Sequence, residues 1–423
     1  MGKRLSADDL DSALTIFGFL MVLAFQQLNA QPDNLIIVDQ TGNSDHRTLS
    51  EAIATLPMFN YQRVTIFIKN GVYEEKVRID QDYVTLKGED RELTVIQYCQ
   101  LREAWNQNKD SIGPAVVNLH GDDIILENLT LINTQPEVGP HAFAIYGTGT
   151  RTIINNCKVI SKGGDTVALW DYKTGMYYHT DCYFEGAVDF VCPRGWCYIK
   201  NSEFFEVKRS AALWHAGGFA PDQKLVLVNC RFDGVKDFQL GRHHYEAQFY
   251  LLHCRFSANL ADQPIYRVVY DDSTRNRPFN WGERAYFYNC HRTGGDYAWF
   301  KDNLAAAPNS PQPEQITAQW TFVGNWDPET KTGPVIKEVK INGNEILLTF
   351  NEIISVNGKP VLHSKSGKVL DYDSGAGSPC LKFRSDTKIE KAELVGLVVA
   401  NEAEIIGTIA SIYERPADLT LNF

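Results

Sequence analysis

The chain has 423 residues, a formal net charge of −11, 44% hydrophobic residues and 22% charged residues. That length holds two domains, or one large domain with an appendage, and the composition is that of a folded globular protein. The negative balance excludes a nucleic-acid binder held by bulk electrostatics, and any acidic ligand must meet locally concentrated positive charge.

Residues 1–30 read as a signal peptide. Lys3 and Arg4 precede the apolar run ALTIFGFLMVLAF, and LNAQ follows with a cleavage point around Asn29, Ala30 and Gln31. Asp8, Asp9 and Asp11 are unusual before such a run, which leaves an uncleaved anchor as the alternative. No other segment is long and apolar enough to span a bilayer. The expected mature protein is secreted or periplasmic, with no membrane partner after cleavage and no nucleic-acid partner.

Residues 31–331 are dominated by short β-rich runs: RVTIFI, DYVTLKG, AVVNL, IILENLTL, KLVLV and AQFYLL. Helical periodicity is scarce, SEAIATLP near Ser50 being one exception. Between Asn155 and Arg292 the motifs INNCKV, HTDCYF, KNSEFF, VNCRF, LHCRF and YNCHR recur at steps of roughly 20 to 36 residues, a length that signals a stacked solenoid. The expected form is a parallel β-helix whose coils lie about 4.8 Å apart. Cys157, Cys182, Cys230, Cys254 and Cys290 share one phase of the repeat and are expected inside it as small apolar side chains. Cys192 and Cys197, in CPRGWC, flank a turn and could form a disulfide in an oxidising compartment. No cysteine spacing resembles a zinc site.

Within this repeat, Asp189 stands in GAVDFV, where a buried strand has no cheap place for a carboxylate. Asp165 follows two glycines in SKGGDTVALW, and 189 − 165 = 24 residues is about one coil. Two aspartates in phase on adjacent coils would lie roughly 5 Å apart on one face. So close a pair cannot both ionise cheaply, which divides them into an acid and a base or nucleophile. Arg242, in QLGRHHYEAQFY, is about two coils further on and can reach the same face, where it would keep Asp189 ionised.

After NWDPETKTGP the composition changes. Residues 332–423 carry IKEVKI, EILLTF and AELVGLVV between Gly, Asn and Ser turns, with NGNE and VNGKP reading as hairpins. This is expected to be a small β-sandwich, an accessory or binding module, with structural capping as the alternative.

The motifs IFIKNGVYEEKVRI, GGDTVALW, DCYFEGAVDF and LGRHH, in this order, resemble the pectin methylesterase family, carbohydrate esterase family 8, over about residues 33–326. The resemblance implies an all-β, right-handed parallel β-helix that demethylates the galacturonan of pectin and releases methanol. It implies Asp189 as nucleophile, Asp165 as general acid and then base, and Arg242 as the group that fixes Asp189. It implies no metal and no organic cofactor, and the expected form is a monomer acting on a pectic polysaccharide. The sequence departs from the family at His141 in HAFAIYG and at Gly164, where glutamines stand, and at His244 in LGRHH, where tryptophan stands. His141 is the remaining side-chain candidate for the oxyanion donor, with backbone N–H groups as the alternative, and His244 is expected to shape a sugar subsite. Tyr146, Trp170, Tyr183, Phe190, Trp196, Trp214 and His215 are candidates to line a sugar groove, or else pack between coils. Other readings are an esterase for a different ester or branched pectic domain, a non-catalytic sugar-binding β-helix, and a pectate lyase, which would want a calcium cluster of several carboxylates.

Overall fold

The computed structural model describes residues 34–218 and 220–421, so the leader expected at 1–30 lies outside the described residues. Ten short strands, from Leu35–Val38 to Ala285–Tyr288, stack into one sheet, and nine, from Gly71–Glu74 to His291–Arg292, stack into a second. The third face is broken into two. Four strands ending at Val167–Leu169 form one part, and three strands beginning at Ala211–Trp214 form the other. All of these pairings are parallel, as in Ile154 with His179 and Lys158 with Tyr183, and the coils wind as a right-handed β-helix. At the break the chain makes only isolated bridges, from Val191 to Val167 on one side and to Leu213 on the other.

The repeated motif is a corner. Asn128, Asn156, Asp181, Asn201, Asn229, His253 and Asn289 all adopt left-handed backbone, with φ between 49° and 56°. Asn and Asp tolerate that conformation better than most residues. Their side chains bond along the stack, Asn156 Nδ2 donating to Asn128 Oδ1 (2.7 Å) and Asn229 Nδ2 to Asn201 Oδ1 (2.9 Å). The next residue turns inward, and five times it is a cysteine. Cys157, Cys182, Cys230, Cys254 and Cys290 are buried, each thiol donating to the carbonyl two residues back.

All nine cysteines are free. Cys192 packs outward against Ala115, Phe143 and Ala168, whereas Cys197 packs into the solenoid core. The two ends of CPRGWC therefore face different layers, and the disulfide expected as one possibility is not formed. The short helix Leu49–Ala54 falls on SEAIATLP; Thr48 and Glu51 form a capping box, and Leu49 and Ala52 join the core.

The C-terminal module is a seven-stranded antiparallel sheet in the order Ile336–Asn342, Glu345–Asn357, Ser378–Arg384, Val369–Ser374, Val361–His363 and Val398–Val399, with Glu404–Gly407 also paired to Glu345–Asn357. It curls around its own core of Ile346, Leu348, Phe350, Leu370, Leu381 and Phe383, a β-sandwich-like arrangement. NGNE is a hairpin, with Asn342 opposite Glu345 and Gly343 at φ 66°. VNGKP is not one: the strand before it pairs with Glu404–Gly407 and the strand after it with Val369–Ser374.

The module is joined to the solenoid by polar contacts as well as apolar ones. Arg63 donates to the Thr408 and Asp123 carbonyls (2.6 and 3.0 Å), the Ala410 N–H donates to Asp123 Oδ1 (2.9 Å), and the Val356 N–H donates to Gln62 Oε1 (2.8 Å). Residues 304–326 cross the outer face of the first sheet and bury Leu304, Ile316, Phe322 and Trp326 against Tyr178, Tyr198 and Val226. Among the described residues no helix is long and apolar enough to cross a membrane.

Candidate active site

Asp165 and Asp189 sit where the third face is broken. The Asp165 N–H donates to the Val188 carbonyl (3.2 Å), and the Asp189 N–H to the Ala211 carbonyl (2.6 Å). The two aspartates thus occupy matching places on adjacent coils. Both are left-handed, at φ 56° and 58°, and Val188 is left-handed too, at φ 49°. For a β-branched residue this is a strained conformation, costing on the order of 1–3 kcal/mol, that the surrounding structure must hold in place. Gly186 makes room for it: a Cβ there would lie 2.3 Å from both Phe190 Cβ and Thr166 Oγ1.

Arg242 lies on Gln239–His243, in register with Trp214. Its Nε donates to Asp189 Oδ1 (2.8 Å) and its Nη2 to Asp189 Oδ2 (2.8 Å), a two-pronged clamp. Burial, and then the neighbouring Asp189 charge, push the Asp165 carboxyl up to about 7. Burial also lifts Asp189 above its ordinary range, but Arg242 opposes that lift through a hydrogen bond and its charge. The pair is therefore set apart, Asp165 keeping its proton near neutrality while Asp189 is clamped by a permanent cation.

His141 forms an isolated bridge with Gly164, and its Nε2 is 3.4 Å from Asp165 Oδ2. Burial, then Arg102 and Arg242, lower its basicity, so the imidazole is neutral at pH 7. Its carbonyl accepts the Arg102 N–H (2.9 Å), which ties the helix Arg102–Gln107 to the site.

One wall is aromatic. Trp170 meets Phe143 and Tyr146 edge-on at 5.6 and 5.5 Å, and the guanidinium of Arg194 lies 4.4 Å above it. Trp214 lies 6.0 Å from the Arg242 guanidinium and meets Tyr245 edge-on at 6.5 Å. A cavity of about 400 Å³ continues from there, lined by Tyr172, Arg194, Gly217, Tyr245 and Arg277 among others.

The structure thus brings Asp165, Asp189, Arg242, His141, Trp170, Trp214 and Tyr146 together, and places five expected substrate-binding residues elsewhere. Phe190 is in the solenoid core, because the left-handed Asp189 before it turns its ring inward. His215 is fully buried, its ring bonded to the Gly195 carbonyl (2.8 Å) and accepting from the Gln248 N–H (3.3 Å). Tyr183 lies on the second sheet, where its hydroxyl donates to Glu185 (2.7 Å). His244 is enclosed by Tyr270 and Tyr245, at ring distances of 4.6 and 5.1 Å, and so does not open onto a groove. Trp196 faces outward from the first sheet, away from the aspartates.

Sequence reasoning missed Arg102, Arg194 and Glu206. Arg194 stands five residues after Asp189 within CPRGWC, and its charge there was a usable signal. Arg102 lies in a helical insertion outside the repeat. Glu206 is fully buried behind the aspartate turn; its Oε1 accepts the Lys208 N–H (2.9 Å) and its Oε2 has no partner. Burial pushes this carboxyl up to about 9, with the Asp189 charge adding to the effect, so it is protonated.

Comparison with known proteins gives a consistent picture. Residues 35–216 match the family model described as Pectinesterase. Probable pectinesterase 49 of Arabidopsis thaliana is 31% identical over 48% of this chain and 56% of its own length. Putative pectinesterase 11 of the same plant is 27% identical over 62% of this chain and 72% of its own. The chain spans about half the length of the first of these curated relatives. Among solved structures, the pectin methylesterase of Erwinia chrysanthemi superimposes with a TM-score of 0.55 at 20% identity, covering 71% of this chain and 99% of that one. That of Aspergillus niger gives 0.56 at 20% identity, covering 70% and 95%. The solenoid has the pectinesterase-family fold, extended by the antiparallel C-terminal module.

Proposed function

From this pectinesterase-family fold we propose that the chain is an exported carboxylic ester hydrolase that removes methyl groups from a pectic polysaccharide. The observation that carries the reading is the in-register pair of buried aspartates, with the clamp of Arg242 on one and a carboxyl near 7 on the other. An Asp189 oxygen attacks the ester carbonyl and forms a tetrahedral oxyanion. Asp165 gives its proton to the departing methoxide, which leaves as methanol, and an acyl anhydride on Asp189 remains. Asp165, now ionised, takes a proton from water as that water attacks the anhydride carbonyl. The acid product leaves, and both aspartates return to their starting states.

His141 stands at one of the two missing glutamine positions, with its Nε2 3.4 Å from Asp165 Oδ2. We assign it to orienting the Asp165 proton and steadying the oxyanion. The substrate becomes more anionic with each turnover. Arg102 and Arg194 beside Trp170 supply the local positive charge that a chain of net charge −11 must concentrate to hold it. The cation-backed indole suits a sugar ring lying between charged neighbours. The leader-like residues 1–30 support export, and the solenoid carries a complete candidate site within one chain, in keeping with action as a monomer.

The test is to incubate the purified protein with highly methylated pectin and measure methanol together with the absorbance of unsaturated ends. Methanol without unsaturated ends is the expected result. Calcium-dependent unsaturated ends would replace the reading with a lyase, and binding without either product would replace it with a non-catalytic module.

A further inference from the structure

The outer face of the first sheet carries a second cavity, of about 1050 Å³, where residues 304–324 leave the sheet only partly covered. Strand alternation builds it. Leu225, Phe249 and Ala285 are paired across adjacent coils, with Leu225 and Phe249 in the core, so the residues before them, Lys224, Gln248 and Arg284, form an outward row. The next outward row holds Tyr250 and Tyr286.

These groups form a polar chain between two indoles. Arg284 Nη1 donates to Gln248 Oε1 (3.0 Å), and Gln248 Nε2 donates to the Tyr250 hydroxyl (2.9 Å). The Lys224 ammonium lies 4.7 Å over Trp320, and the Arg284 guanidinium 5.0 Å over Trp281. Both cations are buried, at 5% and 8% exposure, yet neither is fully partnered. Lys224 has one hydrogen bond, 3.5 Å long, to the Thr321 carbonyl, and Arg284 Nε has none. Two carboxylates line the cavity. Glu283 is engaged by His243 (3.2 Å). Asp222 attracts Lys224 but does not offset its burial, which brings the ammonium down to about 8. Desolvated cations with donors to spare, set against indole faces, are the chemistry that binds a carboxylate attached to a sugar ring.

We propose that this cavity is a second, non-catalytic binding site for an anionic saccharide, with the carboxylate at Lys224 and Arg284 and the ring against Trp281. The nature of the ligand rests on the function proposed above. Two loops place the site near the catalytic one. Gly217 and Gly218 line the cavity beside Arg194, while Pro221 and Asp222 line this one; likewise Arg277 and Asn280 face one cavity and Trp281 the other. Glu246 holds the second loop by accepting the Asn280 and Trp281 N–H groups. A polysaccharide held here keeps its remaining sugars at high local concentration beside the cleft.

The experiment uses the full chain with Asp189→Asn and unmethylated hexagalacturonate as the probe. Calorimetry is expected to give two sites per chain, and hydrogen exchange to show protection at residues 222–226, 281–286 and 315–321 as well as around Arg102 and Arg194. Trp281→Ala, on the loop, is expected to leave one site. In the otherwise wild-type chain it should raise KM for long pectin at least fivefold and leave turnover of a small soluble methyl ester within twofold. Protection confined to the catalytic cleft, or two sites persisting in Trp281→Ala, would overturn the proposal. Protection of this cavity in a protein that releases no methanol would uphold the second site and overturn the esterase reading instead.

Discussion

Replacing Asp189 with Asn tests the catalytic reading most directly, because the change is almost isosteric and its consequences can be worked out group by group. The nucleophilic charge is lost, so turnover should fall by at least ~10⁴-fold, about 5.5 kcal/mol at 1.36 kcal/mol per tenfold. Stability should barely move. Arg242 loses a two-pronged ionic partner, but its side chain is 27% exposed and water screens part of that loss. Against this, the buried Asp189 charge and its repulsion of Asp165 disappear, so the net change should stay within about 1 kcal/mol. Asp165 should respond as well. Its carboxyl is raised to about 7 by burial first and by Asp189 second, so the variant should titrate lower but still above an ordinary aspartate. Methanol release gives the rate, thermal unfolding the stability, and carbon NMR of labelled carboxyls the titration. More than ~1% of wild-type turnover, with mass spectrometry excluding reversion to Asp, would refute the nucleophile. An unchanged Asp165 titration would refute the coupling.

Because the first step needs Asp165 protonated, kcat/KM should fall about tenfold per pH unit above about 7, and Asp165→Asn should abolish that limb along with most activity; a flat profile through that range would count against Asp165 as the acid. Glu206 has its folded-state carboxyl raised to about 9 from an ordinary value of 4.5, so the native state holds a proton that the unfolded chain releases. Its contribution to stability is complete below about 4.5 and is lost as pH rises towards about 9. Glu206→Gln should therefore gain in Tm relative to wild type as pH is raised from 5 to 8, and parallel Tm profiles would show that the carboxyl is not protonated there. His141→Ala should lower kcat at least tenfold with little change in Tm, and His141→Gln should retain much of the rate, since an amide still donates; unaltered catalysis in the alanine variant would move the role to backbone groups.

Most of the solenoid was legible because its signal is periodic. Each coil needs one left-handed corner residue and one small inward residue, and the chain writes this as Asn, Asp or once His followed by Cys or Ser from Asn156 to Asn289. The aspartate pair was legible for the same reason, a spacing of one coil. Arg242 was legible only as a reach of two coils. What failed was side-chain direction near the site. Phe190 follows Asp189 and His215 follows Trp214, so each turns inward where its predecessor turns to the groove, a choice of face that residue type alone does not show. The arginines failed for a different reason: Arg102 belongs to a helix that no repeat predicts. CPRGWC misled because two cysteines close in sequence were read as close in space, while a turn sends them to opposite layers.

The site reuses the device that builds the fold. At the second sheet's corners, left-handed asparagines stack and spend their side chains on one another. At the broken third face the same backbone conformation is occupied by Asp165 and Asp189, and here the side chains meet His141 and Arg242 rather than one another's corner amides. A left-handed corner holds its side chain at a fixed angle to the coil, so successive coils present the two carboxyls in parallel without a loop to position them. The interruption of the sheet is what makes this affordable: with Val191 held only by isolated bridges, the coil can turn Val188 and Asp189 outward without breaking a long ladder. The strain at Val188 then has a structural counterweight in buried, protonated Glu206 behind it and in the Arg242 clamp in front. On this argument the precision of the catalytic pair comes from coil stacking rather than from local loop chemistry. Substitutions in the stacked corners one coil away should therefore lower the rate of methanol release more than substitutions in the exposed segment 271–275.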